Sequence, residues 1–317
     1  MIESVVRVDL PVDEVLTIQK NRLEPAGGSN GRRISVVTGI HGDELEGQYV
    51  CYELARRVGE HPEFLAGTVD LYPALDPLGI NAIMRGIPAF DLDMNRIFPG
   101  RLDGDMNEYL AARIVAELEG SDLCLDVHAS NIYLTELPQI RINEAHRERL
   151  LPWARLANLD FIWVHGASTV LEATLAHTLN SRGVPTLVVE MGVGMRITRA
   201  YGDQLTDGIL RLMRELEIWT GPVVEPRTPV VSADPDEVAF LNAAASGVFL
   251  RALDLGATVR TGEVLGVIVD PLRGETLCTV TAPVDGWLFT VREYPVVTKG
   301  ALVARILRRE GGAHHGA

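Results

Sequence analysis

Short apolar runs alternate with amphipathic runs along the first two thirds of the chain. The apolar runs are rich in Val, Ile and Leu and predict strands at 32–40, 67–75, 121–129, 137–142, 160–165 and 184–190. Runs with helical periodicity lie between or after them, at about 44–58, 107–119, 144–157, 169–181 and 198–219. This alternation predicts an α/β domain with a mostly parallel, mixed sheet and helices on both faces.

The pattern changes at the proline-rich stretch TGPVVEPRTPVVSADPDE, which has no helical period and predicts a linker. Short β-like runs punctuated by Gly and Pro follow, from about 228 to 310, and predict a small all-β domain. We therefore expect an α/β domain over 1–225 and a C-terminal β domain over 226–317. The tail EGGAHHGA is predicted to be disordered.

Charge and composition exclude several classes of protein. The net charge of -14 and the pI near 5.0 argue against nucleic acid or an anionic membrane as partner, because either would require a basic surface. The N-terminal segment lacks the apolar core of a signal peptide, and no apolar run approaches the roughly 20 residues that span a bilayer. The three cysteines are far apart and fit a reducing compartment, so we expect a cytoplasmic protein.

The segment GIHGDELEG, residues 39–47, joins a predicted strand to a predicted helix. Asp43 and Glu46 have the D-x-x-E spacing of a capping box, and helical phase places both on a solvated face. Glu44 heads an apolar, core-facing stripe, where a carboxylate is costly unless it is paired or bound to metal. His41 ends the strand, at the edge where open α/β sheets bind ligands. The alternative is a capped helix start without a metal site.

A second histidine ends the predicted strand 121–129. Asp126 and His128 point to the same side of that strand, because side chains alternate. A ligating histidine usually bonds a carboxylate or carbonyl through its other nitrogen, which makes Asp126 a candidate partner. His41, Glu44 and His128 together form the ligand set of a catalytic zinc with an open position for water. The alternative is a buried histidine that Asp126 satisfies without metal.

Other polar residues lie at strand ends. Glu190 ends the run VPTLVVE and is a candidate general base and acid; the alternative is a surface glutamate. Arg141 lies on the predicted strand 137–142. Its side chain faces either the candidate site or the opposite side of the sheet, and the sequence leaves both open. His165 ends another predicted strand, but nothing else in the sequence indicates a role for it.

The turn-rich segment AIMRGIPAFDLDMNRIFPG offers candidate substrate contacts. Arg96 has the bidentate fork that binds a carboxylate, and Asn95 can donate or accept a hydrogen bond. Arg85 could hold a second anion or polarise the scissile carbonyl. Alternatively, Asn95 organises a turn and Arg96 pairs with Asp91 or Asp93.

The motifs GIHGDELEG, DLDMNRIFPG, LDVHAS and LVVEMG, in this order, resemble the succinylglutamate desuccinylase/aspartoacylase family. That family consists of zinc amidohydrolases related in fold to the zinc carboxypeptidases, and the resemblance covers most of residues 30–310. It implies one Zn²⁺ per chain on His41, Glu44 and His128, with Glu190 as general base and acid.

The same resemblance implies that Asn95 and Arg96 bind the substrate carboxylate, with Arg85 as a helper. The C-terminal β region resembles the appended domain of the family, a biotinyl/lipoyl-type barrel-sandwich. Its segment RGETLCTVTAP contains no lysine, so we expect no carrier role. We expect this domain to shape or shield the active site.

The sequence thus predicts a zinc-dependent deacylase acting on a small N-acyl amino acid, with an N-acetylated amino acid or diamino acid preferred. One alternative is a zinc carboxypeptidase acting on a peptide C-terminus. Another is a non-catalytic metal-binding protein with the same fold. We expect no nucleic-acid or membrane partner. The acyl group, the amino acid and the oligomeric state, a homo-oligomer included, stay open.

Overall fold

The computed structural model describes residues 1–88, 90–166 and 172–309. These residues form two compact units, 1–129 with 138–231, and 130–137 with the chain from 232 onward. The sequence placed one boundary, between 225 and 226. The segment 130–137 belongs to the second unit because 134–136 pair with 290–292 in an antiparallel ladder. The predicted disordered tail lies outside the described residues.

The first unit is built on a mixed, mostly parallel sheet, as predicted. Its strands are β1 (Ile2–Asp9), β2 (Val15–Leu23), β3 (Arg33–Thr38), β4 (Thr68–Tyr72), β5 (Leu123–Ala129), most of β6 (Leu134–Asn143), β7 (Phe161–His165), β8 (Thr186–Gly192) and the start of β9 (Val230–Ser232). The order is β1-β2-β4-β3-β5-β8-β6, with β7 beside β6. Strands β4, β3, β5 and β8 run parallel, so their carboxyl ends share one edge.

The hairpin of β1 and β2 was not predicted from the sequence. Its two strands are antiparallel, and β2 continues antiparallel to β4 at the edge of the sheet. Only part of each strand is buried, so the hydrophobic signal is weak. Lys20 of β2 is nevertheless buried, 2.5 Å from Glu117 and 3.5 Å from Asp70.

Helices cover both faces of this sheet. They are α1 (Glu46–Glu60), α2 (Pro77–Ala82), α3 (Met106–Leu118), α4 (Arg147–Ala154), α5 (Leu175–Ser181) and α6 (Arg199–Glu215). Val37 and Cys124 pack in one core cluster with residues of α3 and α5. The neighbouring residues Val36 and Leu125 are also fully buried and face the other side, because side chains alternate.

The predicted helices correspond to α1 and α3 to α6, with altered ends. The start of the predicted helix 169–181 lies partly outside the described residues, and α5 begins at Leu175. Helix α2 was not predicted, because it is short and contains Pro77 and Gly79.

The described residues of the second unit form β-strands, turns and one short 3-10 helix, Pro235–Glu237. After the end of β9, its strands are β10 (Val238–Asn242), β11 (Gly247–Arg251), β12 (Thr258–Val259), β13 (Val264–Asp270), β14 (Glu275–Thr281), β15 (Gly286–Arg292), β16 (Val296–Val297) and β17 (Leu302–Arg308). Four of them form a sheet in the order β14-β13-β11-β16. The hydrophobic core of the second unit contains Phe249, Ile268, Leu288 and Ile306. The predicted small all-β region is confirmed.

Within the described ranges, no helix combines the length and the apolar character that a membrane span requires.

The buried ion pairs of Asp70 predict a stability effect at the sheet edge. Asp70 is fully buried and contacts Arg22 at 2.7 Å and Lys20 at 3.5 Å. Asp70→Asn would leave these cations without their shared anion, and we expect the free energy of unfolding to fall by about 3 kcal/mol. Urea denaturation measures this. The control Asp103→Asn removes an exposed carboxylate 3.9 Å from Arg101 and should change stability little. Equal effects of the two substitutions would contradict the prediction.

Candidate metal centre and active site

The turn that enters α1 is packed too closely for any residue but glycine at position 42. A Cβ atom on Gly42 would lie 2.0 Å from the carbonyl carbon of Gly79 in α2. The Asp76 side chain caps α2 by accepting from the Gly79 amide at 2.9 Å. The Gly42 amide donates to the carbonyl of Arg85 at 3.2 Å. The turn therefore lies directly against the segment that carries Arg85.

Three predicted ligands converge at the carboxyl ends of β3 and β5. His41 Nδ1 lies 2.8 Å from Glu44 Oε1, and His128 Nδ1 lies 2.9 Å from Glu44 Oε2. One ligand atom from each residue lies within 4.8 Å of the others, and all three side chains are buried. The Ala129 amide also donates to Glu44 Oε2, at 3.1 Å. The structure thus brings together the set that the sequence singled out.

A carboxylate faces the second nitrogen of each imidazole. His41 Nε2 lies 3.0 Å from Asp93 Oδ1, and His128 Nε2 lies 3.1 Å from Asp126 Oδ1. The Asp126 contact is electrostatic, since neither Asp126 oxygen has a partner in hydrogen-bond geometry among the described residues. Such carboxylates orient ligating histidines. The sequence identified Asp126 as this partner but missed Asp93, which it considered only as a partner for Arg96.

The histidines and carboxylates of the cluster shift one another's pKa values. Burial alone would raise the pKa of Glu44, but the charges and hydrogen bonds of His41 and His128 outweigh it and lower that pKa. Burial alone would lower the pKa of each histidine. Glu44 and Asp93 raise the pKa of His41 instead, and Asp126 and Glu44 raise that of His128. Two histidines that tend to keep their protons and one ionised carboxylate therefore occupy a small, buried volume in the metal-free protein.

His41 Nδ1 gives a direct test of whether a metal fits. This atom is buried and has no partner in hydrogen-bond geometry within the described part of the chain, although Glu44 Oε1 is 2.8 Å away. Asp93 accepts from Nε2–H, so once Nδ1 gives up its proton its lone pair faces the other two candidate ligands. An imidazole lone pair directed at a carboxylate oxygen is unfavourable alone and favourable around a cation. The donor set therefore fits a metal ion.

Arg85 borders the cluster. Its Nη1 donates to Glu44 Oε1 at 2.8 Å, and its Nη2 lies 3.6 Å from Asp93 Oδ2. Nη2 is also 3.0 Å from His41 Nε2. A guanidinium only donates, so Asp93 and not Arg85 is the hydrogen-bond partner of the protonated Nε2. The structure places a cation directly beside the ligand carboxylate.

Glu190 lies next to the cluster because of the strand register. It pairs with His128 across the parallel strands β5 and β8, so both side chains project from the same face. Glu190 Oε1 lies 3.3 Å from Arg141 Nη1, and both side chains are partly exposed. The structure therefore brings Glu190 and Arg141 together at the edge that carries His128.

Two aromatic side chains of β7, Trp163 and His165, lie in sequence beside Arg141. The Arg141 guanidinium carbon lies 5.8 Å from the ring centroid of Trp163, and the His165 ring lies 6.3 Å from that centroid. Burial lowers the pKa of His165, opposed by its bond to the Gly166 carbonyl. A lowered pKa keeps this imidazole neutral near pH 7.

Asn95 and Arg96 lie in a short turn, Met94–Arg96. Asn95 Oδ1 accepts from the Leu175 amide at the start of α5, at 2.9 Å, so it organises the local backbone. Arg96 Nη1 donates to the Asn95 carbonyl at 2.8 Å and lies 3.9 Å from Asp93 Oδ2. Both structural interactions considered for these residues are present. The Arg96 side chain also remains 40% exposed, so its fork is accessible.

The expectation that Asp43 and Glu46 form a capping box on a solvated face is wrong. Helix α1 begins at Glu46, its N-cap is Leu45, and no side chain caps it. Asp43 and Glu46 are both buried. The residues after Gly42 form a non-helical turn, so helical phase counted from Asp43 does not apply. Glu46 Oε2 instead accepts from the Thr198 amide at 2.7 Å.

The described geometry defines an α/β protein with a candidate metal centre at the carboxyl edge of its parallel strands. Residues 30–216 match the family model of the succinylglutamate desuccinylase/aspartoacylase catalytic domain. The match covers more than half of the chain, which therefore belongs to the succinylglutamate desuccinylase/aspartoacylase family. The resemblance of the sequence motifs is confirmed.

Individual relatives agree with this assignment. N-alpha-acetyl-L-2,4-diaminobutyric acid deacetylase of Halomonas elongata is 25% identical over 278 residues, which are 84% of this chain and 80% of that protein. The product-bound ectoine utilization protein EutE (DoeB) of Ruegeria pomeroyi has a TM-score of 0.83 at 20% identity, over 96% of this chain and 94% of its own. The structure of a succinylglutamate desuccinylase/aspartoacylase from Rhodobacter sphaeroides has a TM-score of 0.80 at 23% identity. The match covers 98% of this chain and 95% of that one. The structures establish the fold, and the family supports a deacylase acting on amides.

The division of roles within the turn predicts how its two neighbouring acids affect metal content. Glu44→Ala should lose bound metal, because it removes the oxygen ligand between the imidazoles. Asp43→Ala should keep the metal and lower stability, because Asp43 is buried but not one of the converging ligands. Elemental analysis after metal loading and desalting measures this, with the exposed helix residue Glu60→Ala as control. Full metal content in Glu44→Ala, or equal loss from both acids, would contradict the prediction.

Metal affinity should rise with pH. The pKa values of His41 and His128 are raised, so both imidazoles keep their protons to higher pH in the metal-free protein. A metal must displace those protons, so affinity falls as pH falls below the raised values and levels off above them. Calorimetric titrations in buffers of different ionisation enthalpy should show about one to two protons released per metal near neutral pH. Binding with no proton release would be inconsistent with ligation by these histidines.

Proposed function

We propose that this chain is a zinc-dependent deacylase that hydrolyses the amide bond of a small N-acyl amino acid. An N-acetyl amino acid or diamino acid is the preferred substrate, and the products are a carboxylate and a free amine. The observation that carries the proposal is the convergence of His41, Glu44 and His128, with Glu190 beside His128 on the neighbouring strand. The deacetylase from Halomonas elongata supports the substrate class.

The ligand set supports zinc, one ion per chain. Two imidazoles and a carboxylate leave one position of a tetrahedral ion open, which is the pattern of catalytic zinc sites. When bound, zinc supplies a water of lowered pKa and polarises a carbonyl oxygen. Asp93 and Asp126 hold the two imidazoles in the orientation that presents Nδ1.

Glu190 is proposed as the general base and acid. Its position at a strand end beside His128, and its partial exposure, allow it to reach both a water and a substrate. It takes a proton from the attacking water and later passes that proton to the leaving amine. Arg141, 3.3 Å away, holds the carboxylate in place and limits the directions it can adopt.

Arginines around the cluster are proposed to bind the substrate. Arg96 offers an exposed fork for the substrate carboxylate, and Asn95 fixes the turn that presents it. Arg85 contacts Glu44 and is placed to stabilise negative charge that develops on the scissile carbonyl oxygen. Arg141 lines the side that Glu190 occupies.

Two alternative functions differ from this proposal in their substrate or in their need for a general base. A zinc carboxypeptidase would use the same ligands but act on a peptide C-terminus. A non-catalytic metal-binding protein would not need a base, whereas Glu190 is present beside the cluster. The named relative is a deacetylase, which favours the small N-acyl substrate.

We also propose a cytoplasmic location, which the three unpaired cysteines support.

Release of free amine from a panel of N-acyl amino acids tests the proposal. We expect zinc-loaded protein to hydrolyse N-acetyl-L-2,4-diaminobutyrate or another N-acetyl amino acid in the panel. Glu190→Ala should lower kcat by about 10²- to 10⁴-fold, because it removes proton transfer, while zinc content stays unchanged. N-succinylglutamate, N-acetylaspartate and a blocked dipeptide complete the panel.

The control Glu60→Ala removes an exposed carboxylate of α1 and should retain full activity. Full activity in Glu190→Ala would overturn the proposed mechanism. Hydrolysis of the dipeptide alone would favour the carboxypeptidase, and zinc binding without hydrolysis of any substrate would favour the non-catalytic protein.

A further inference from the structure

The last residue of β8 and the turn after it, residues 192–198 (the 192–198 turn), pack directly on the Glu46 carboxylate. Gly192, two residues after Glu190, has a positive φ of 65°. A Cβ atom there would lie 1.9 Å from Glu46 Oε1. Only glycine satisfies both the backbone angle and this close approach. The direction of the chain immediately after Glu190 is therefore set against the side chain of Glu46.

Two hydrogen bonds tie the 192–198 turn to the entrance of α1. Glu46 Oε2 accepts from the Thr198 amide at 2.7 Å, at the far end of the turn. The Met195 amide donates to the Asp43 carbonyl at 2.6 Å, in its middle. Both acceptors flank Glu44, the central metal ligand. The same short stretch of chain thus holds the metal ligand and the turn that continues from Glu190.

Local structure alone does not account for the Glu46 carboxylate. It is completely buried, it does not cap α1, and it forms no ion pair within the described ranges. Burying a carboxylate is costly unless hydrogen bonds compensate. The hydrogen bond that offsets this cost is donated by the Thr198 amide, at the end of the turn after β8.

We propose that Glu46 is a positioning residue for Glu190. By holding the 192–198 turn against the entrance of α1, Glu46 sets where the end of β8 lies relative to Glu44, and so where the Glu190 carboxylate points. The inference rests on the proposed role of Glu190 as base. Among the described residues, Glu46 has no hydrogen bond to His41, Glu44 or His128, and in this proposal it acts through the backbone.

The expected consequence is a loss in kcat without a loss of zinc. Displacement of a catalytic group by about 1 Å costs about 10²-fold in rate. Glu46→Ala removes the acceptor for Thr198, so we expect kcat to fall about 10²-fold, with KM and zinc content near those of the parent protein. Glu46→Gln keeps an acceptor oxygen and should recover most of kcat.

Steady-state kinetics and elemental analysis on the full-length zinc protein test this, with Glu60→Ala as the matched control. That substitution removes an acidic side chain from the same helix, at an exposed position paired with Arg56, and should leave kcat unchanged. In a Glu190→Ala background, Glu46→Ala should cause no further loss in rate, because its effect passes through Glu190.

Hydrogen exchange tests the contact itself. In metal-free protein, the Thr198 amide should exchange faster with solvent deuterium in Glu46→Ala than in the parent protein.

Gly192→Ala provides a second route if Glu46→Ala does not fold. Its Cβ atom would push the turn away from Oε1, and the same fall in kcat at constant zinc content is expected. Parental kcat in a folded Glu46→Ala, loss of zinc, or a further loss in the Glu190→Ala background would overturn the inference. Full activity of Glu190→Ala alone would overturn the proposed function instead, so the two failures are distinguishable.

Discussion

The site depends on one buried carboxylate, that of Glu44, between two imidazoles. Its oxygens lie 2.8 Å from His41 Nδ1 and 2.9 Å from His128 Nδ1. A buried charge of this kind requires compensation, and two elements of the fold provide it: β5 carries His128, and the turn between β3 and α1 carries both His41 and Glu44. Asp93 and Asp126 fix the orientation of the rings.

The close packing around that turn connects the candidate metal ligands with the other candidate site residues. Gly42 allows α2 to approach, which brings the segment carrying Arg85 against the cluster. On the other side, Glu46 and the backbone of Asp43 hold the turn that continues from the strand of Glu190. Because these contacts begin on a few consecutive residues, the candidate metal ligands and the proposed base Glu190 are held by one short segment of chain.

The sequence predicted the parts of this arrangement that follow from local pattern. Apolar runs buried on both faces predict parallel strands, and the carboxyl ends of those strands located His41, Glu44 and His128. The β1–β2 hairpin was missed, because half-buried edge strands give a weak signal. The roles of Glu46 and Asp93 were missed because their partners come from distant segments, and helical phase fails where the backbone is not yet helical.

The most direct measurement of the central claim is the anomalous scattering of crystals of the zinc-loaded protein, collected on both sides of the zinc absorption edge. We expect one zinc peak per chain, bounded by Nδ1 of His41, the carboxylate of Glu44 and Nδ1 of His128. No peak at this position, a peak held by other side chains, or ligation through the Nε2 atoms that face Asp93 and Asp126 would contradict it.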